Sequence, residues 1–165
     1  NKYFMNIIIK NRFLLYKGYK FKCSIGKGGI KKNKMEGDKA TPKGFFSLGK
    51  FYYRGDRIKK INTNLSCKKI KKNMGWCFDS KNIKYNKEVN LKKNKKAEKL
   101  FRKDHKYDAL VVINYNSKPI IKKKGSAIFL HLTKNYKPTA GCVAINKKDF
   151  FELIKLINNR TKIKI

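Results

Sequence analysis

The chain has 165 residues, 41% apolar and 13% aromatic, and 44 Lys and Arg against 10 Asp and Glu give it a net charge of +34. That length suits one domain with its own core, expected over 1–165, and is too short for two; the apolar content excludes a disordered polycation. Charge alone would suggest nucleic-acid binding, but 39 Lys, 17 Asn and 18 Ile stand beside only five Arg, a bias toward AT-rich codons.

The lysines are spread along the whole chain, without the arginine cluster expected of a protein that reads bases and phosphates. No specific nucleic-acid partner is therefore expected. The positive field still favours anionic surroundings such as a cell envelope. The sequence starts at Asn1, which reads as a product cut from a longer one. The apolar run at 7–9 is far too short for a signal-peptide core or a membrane span.

In chain order, "MNIIIK", "RFLLY" and "YKFKCSI" are β-branched or aromatic runs broken by "KN" and "KG", the pattern of a meander. "GKGGIKKNKMEGDKATPKG" reads as a long glycine-containing connection, uncommon in a compact domain unless it serves a site. "FFSLGKFYY" resumes the strand pattern. The stretch 57–106 is the most polar and least periodic, and within it "KKAEKLFRK" predicts a short helix with Glu98 four residues before Arg102. "DALVVINY" and "SAIFLHL" read as buried strands. Asn146 predicts a helix cap, Asp149 falls in the first turn, and Phe150, Leu153, Ile154 and Ile157 follow at helical spacing. The closing "TKIKI" alternates like an edge strand with its lysines in water. Strands first and one major helix late predict a mostly β, α+β domain.

The chemistry concentrates in "HLTKNYKPTAGCVAI". His131 ends an apolar strand, and Cys142 follows eleven positions on. A cysteine attacks as thiolate and needs a base or a positive neighbour at neutral pH. Gly141 permits a tight turn beside the thiol, and backbone N–H groups at Gly141 and Cys142 would form an oxyanion hole. "TAGC" reads as a small exposed turn, with the His131 ring able to reach the surface. The other reading is a buried structural cysteine and an ordinary strand-end histidine. Were Cys142 a nucleophile, Cys23, Cys67 and Cys77 would allow at most one disulfide, and no CxxC pair suggests zinc. His before Cys is the reverse of the papain-like order, and the gap is much narrower than in sortases.

These residues resemble the signature of the L,D-transpeptidase catalytic domain (YkuD type): His, a variable stretch, Ser or Thr, any residue, Gly, Cys, then an apolar residue. "CSIGKGGI", "KMEGDKATPKGFFSLG", "YYRGDR", "GWCFDS" and "YDALVVINYN" follow the order of that family's compact Gram-negative branch, so the resemblance runs from about residue 6 to 165. It implies a β-sandwich or barrel-like sheet pair with a late helix and a C-terminal strand. It also implies Cys142 as the acylated nucleophile, His131 as its base, Gly141 as the motif glycine and Thr139 as the hydroxyl that orders the site. Many members carry a second His where this chain has Ala140 and a polar residue where it has Ala144, which leaves His131 to act without that neighbour.

The implied activity is a periplasmic, cell-envelope enzyme that cross-links peptidoglycan stem peptides in the wall that sets cell shape. It is expected to work as a monomer without metal or organic cofactor and to be acylated by carbapenem-type inhibitors. Water as acceptor would make it an L,D-carboxypeptidase or amidase; a non-enzymatic basic envelope or nucleic-acid-binding protein is the alternative of a different class. For substrate contacts, the Arg54 and Arg57 forks suit carboxylates or simply pair with Asp56. Trp76 reads as a stacking platform or as core, and Tyr107 and Asp108 line a cleft or merely begin a strand. His105 is a candidate second base.

Overall fold

The computed structural model describes residues 6–165. Met5 of the first expected strand lies outside them. The chain opens as a meander of β1 (Asn6–Lys10), β2 (Phe13–Tyr16) and β3 (Tyr19–Lys22). Both connections hold two residues at positive φ, Asn11 and Arg12, then Lys17 and Gly18, the turn geometry whose twist suits tight hairpins. Two short strands, β4 (Ile30–Lys31) and β5 (Thr41–Pro42), pair in parallel and brace the glycine-containing connection. The nine-residue β6 (Phe45–Tyr53) follows, with β7 (Cys67–Lys69) running parallel beside it.

The polar middle folds into a small antiparallel sheet of β8 (Met74–Cys77), β9 (Glu88–Asn90) and β10 (Ala97–Lys99), with β8 in the centre. The helix predicted over "KKAEKLFRK" is thus a strand: Glu98 pairs across from Trp76, and its carboxylate accepts the Tyr107 hydroxyl instead of meeting Arg102 along a helix. Helix propensity is a weak preference that sheet pairing overrides.

The remaining elements are β11 (Ala109–Ile113), β12 (Phe129–Leu132), β13 (Val143–Ile145), α1 (Lys147–Leu156) and β14 (Lys162–Lys164). The main sheet runs β13-β12-β11-β6-β14-β1-β2-β3 and curves into a nearly closed, barrel-like form. The expectation of an edge for "TKIKI" is corrected, because β14 lies inside the sheet, antiparallel to β6 and parallel to β1. Alternation reported its faces correctly, with Ile163 buried and Lys162 and Lys164 exposed, but a two-residue period carries no information on neighbours. The α1 cap is as expected: Asn146 Oδ1 accepts the Asp149 amide at 2.8 Å. No helix among the described residues is long and apolar enough to cross a membrane.

The strands β11, β12 and β13 are buried at every position because both sheet faces are covered. On one face Val111, Leu130 and Val143 pack with Phe150, Leu153 and Ile154 of α1. On the other, Leu110 and Phe129 join Tyr52, Leu100, Tyr107 and Cys142, and Trp76 of the small sheet meets Phe129 edge-on at 5.2 Å between ring centres. His131 is two residues along β12 from Phe129, so it projects from this second face.

Candidate active site

The strands β12 and β13 are parallel neighbours, with His131 opposite Ala144, joined by the ten-residue crossover 133–142. The crossover places Cys142 at the mouth of β13, beside Phe129. There the Phe129 N–H donates to Cys142 Sγ at 3.3 Å, and the thiol donates to the Ala127 carbonyl at 3.2 Å. His131 Nδ1 lies 2.9 Å from the Leu132 carbonyl. Because a carbonyl only accepts, the proton sits on Nδ1 and Nε2 carries the lone pair. The Tyr107 ring meets the imidazole edge-on at 5.3 Å.

His131, Cys142, Thr139 and Tyr107 line one cavity of about 440 Å³. The thiol and the imidazole are more enclosed than the sequence suggested, at 7% and 5% exposure. Of "TAGC", Ala140 is exposed and Thr139 half-buried as expected of a turn, but Gly141 and Cys142 are buried, so Cys142 forms the floor of the cavity. Burial pushes the Cys142 thiol up to about 12, opposed by the Phe129 amide, and presses His131 down to about 4 despite its Leu132 bond. At neutral pH the resting pair is thiol and neutral imidazole.

Thr139 and Gly141 shape the turn. The Thr139 hydroxyl donates to the Cys142 carbonyl at 2.6 Å and accepts the Gly141 N–H at 3.1 Å, so that amide is already engaged. Gly141 has φ of +141°, and a Cβ there would stand 2.9 Å from the Ala40 carbonyl oxygen. Thr139 is tied in turn to 25–27: its amide donates to Ile25, and its carbonyl accepts from Lys27.

Other expected site residues fall elsewhere. Arg54 forks onto Asp56 at 2.8 and 2.7 Å and donates to the Arg102 carbonyl, with Phe101 under its guanidinium. Arg57 bonds Asp108 and the carbonyls of Lys103 and Asp104. Both arginines therefore brace the segment 101–108 that delivers Tyr107, and neither lines the cavity. Asp108, 3% exposed, also takes His105 Nδ1 at 2.7 Å and does not line the cavity. His105 itself points outward at 79% exposure. Trp76 donates to Asn86 and packs, half-buried, between Tyr52 and Phe129, outside the Cys142 cavity. All four cysteines are free.

Sequence reasoning missed Lys34, Glu36, Glu98 and Arg102, which also line the cavity. Lys34 and Glu36 come from the "KMEGDK" connection, whose unusual length was the available signal. Glu36 accepts from Tyr85 and Ser126, and burial raises the Glu98 carboxyl.

A curved sheet that brings the histidine of one strand and the cysteine just ahead of its parallel neighbour into one cavity is an architecture suited to acyl transfer. The family profile described as YkuD, L,D-transpeptidase catalytic domain, matches residues 3–165, and the chain belongs to that family. No curated protein and no solved structure matches the chain.

Proposed function

We propose that the protein is a peptidoglycan L,D-transpeptidase whose nucleophile is Cys142 and whose base is His131. The observation that carries this reading is the shared cavity: in a chain of the L,D-transpeptidase family, the thiol and the Nε2-basic imidazole line one enclosure large enough for a peptide stem.

The Cys142 thiol gives its proton to His131 Nε2 as sulfur attacks the carbonyl of the third residue of a donor stem. The C–N bond to the terminal D-alanine breaks, and the departing amine takes the proton from His131. The thioester is then attacked by an amine of a second stem, which yields its proton to His131. The C–S bond breaks, and the sulfur regains a proton. With the Gly141 N–H held by Thr139, the Cys142 N–H is the donor left at the turn for the developing oxyanion. The site acts in the cell envelope, where both stems are found.

Mass spectrometry of muropeptides incubated with the protein tests the reading. New dimers are expected. Shortened stems without dimers would make the reaction a hydrolysis, and unchanged muropeptides would overturn the proposal.

A further inference from the structure

Of 39 lysines, Lys34 alone among the described residues is buried, at 3% exposure. An ammonium held out of water is costly unless a partner meets it, so its placement requires a cause. Its side chain threads between two glycines: a Cβ on Gly125 would stand 2.9 Å from Lys34 Cε, and one on Gly141 would stand 3.6 Å from Lys34 Nζ. Asp38 takes the ammonium at 2.7 Å. Asp38 is itself fixed by the amides of Met35 and Ala40. Burial pushes its carboxyl up, but the Lys34 bond and those two amides outweigh it and hold the group at about 2. The result is an ion pair locked beneath the Gly141–Cys142 turn, with its cationic end in the wall of the Cys142 cavity.

We propose that Lys34 is a positioning residue for Cys142: its ammonium, pinned by Asp38 between Gly125 and Gly141, stabilises the ionised sulfur. The inference rests on Cys142 being the nucleophile. A thiol pressed up by burial needs a fixed positive charge close by, and solvated lysines on the outer surface are screened from it. Other charged and titratable groups also face the sulfur. Glu98 of β10 opposes ionisation, and Lys106 on the segment after β10 supports it together with Lys34; Glu36, Arg102, Tyr107 and His131 also line the cavity, as do the exposed Lys39, Lys134 and Lys137. Of these, Lys34 is buried and held by an ion pair, with its Nζ 3.6 Å from where a Cβ on Gly141, the residue before Cys142, would stand.

The test is the rate of Cys142 alkylation by iodoacetamide between pH 7 and 9, read on the Cys142 peptide by mass spectrometry and with folding checked by thermal melting. Below its midpoint a thiol reacts in proportion to its thiolate fraction, so moving that midpoint by one pH unit changes the rate about tenfold. Lys34→Met is expected to slow alkylation about tenfold. Asp38→Asn removes the counter-charge and is expected to speed it severalfold. The two substitutions break the same ion pair, so a purely structural role would move both rates the same way or neither. Either of those outcomes overturns the inference, and if Lys34→Met does not fold, the sign for Asp38→Asn decides alone. Failure of a carbapenem to acylate wild-type Cys142 would instead remove the nucleophile reading, while acylation with unmoved alkylation rates would remove only the role of Lys34.

Discussion

The Thr139 hydroxyl bridges both ends of the turn that carries the thiol, donating to the Cys142 carbonyl at 2.6 Å and accepting the Gly141 amide at 3.1 Å. One side chain thus sets the direction of the Cys142 backbone, which an oxyanion donor requires.

Thr139→Val keeps the shape and removes both bonds. It is expected to slow acylation of Cys142 on the order of ten- to a hundredfold, because small misplacements at a reacting centre are costly, and to destabilise the fold by about 1–3 kcal/mol for the orphaned partners. Thr139→Ser keeps the hydroxyl and is expected to retain most activity. Single-turnover acylation rates and thermal melts of the two variants check this. Equal losses in both would exclude a role for the hydroxyl.

His131→Ala is expected to slow acylation by about a hundredfold or more, the usual scale for a positioned base. The side chain borders a cavity, so a folded variant is expected. Rates matching the wild type across neutral pH would place the base elsewhere.

Stability is expected to fall at both ends of the pH scale. On the acid side His131 titrates at 6.5 in the unfolded chain and about 4 in the fold. The unfolded chain therefore binds the proton first, and stability drops as pH falls from 6.5 toward 4, by up to about 3 kcal/mol. On the alkaline side burial raises Cys142 to about 12 and Cys23 to about 11 from an ordinary 9.0. The unfolded chain ionises first there, so stability falls as pH rises above 9.0. Urea unfolding midpoints in reducing buffer measure both arms, and His131→Gln is expected to flatten the acid arm between 6.5 and 4.

Much of this arrangement is legible in the residue order, where one segment reports its own environment. The unbroken apolar runs of β11 and β12 announced strands covered on both faces, and Asn146 announced its helix. What depends on a distant partner was not legible. Glu98 sits in a strand because Trp76 and Tyr107 meet it, and β14 is interior because β1 and β6 flank it. The small residues of "TAGC" suggest exposure, which holds for Ala140, yet the opposing face encloses Gly141 and Cys142. Among so many lysines, nothing local distinguishes Lys34 beyond an aspartate four residues on, and only the glycines at 125 and 141 make room for it. The forks of Arg54 and Arg57 suit carboxylates, as their residue type implies, but the partners they meet in the fold are Asp56, Asp108 and the backbone of 102–104.

Whether Cys142 is the residue acylated is tested most directly by intact-protein mass spectrometry after incubation with a carbapenem. The wild-type protein is expected to gain the mass of one inhibitor, with the adduct mapping to the Cys142 peptide, and Cys142→Ala is expected to gain none. An adduct that persists on Cys142→Ala, or a folded wild-type protein that gains no mass, would contradict the assignment of Cys142 as nucleophile.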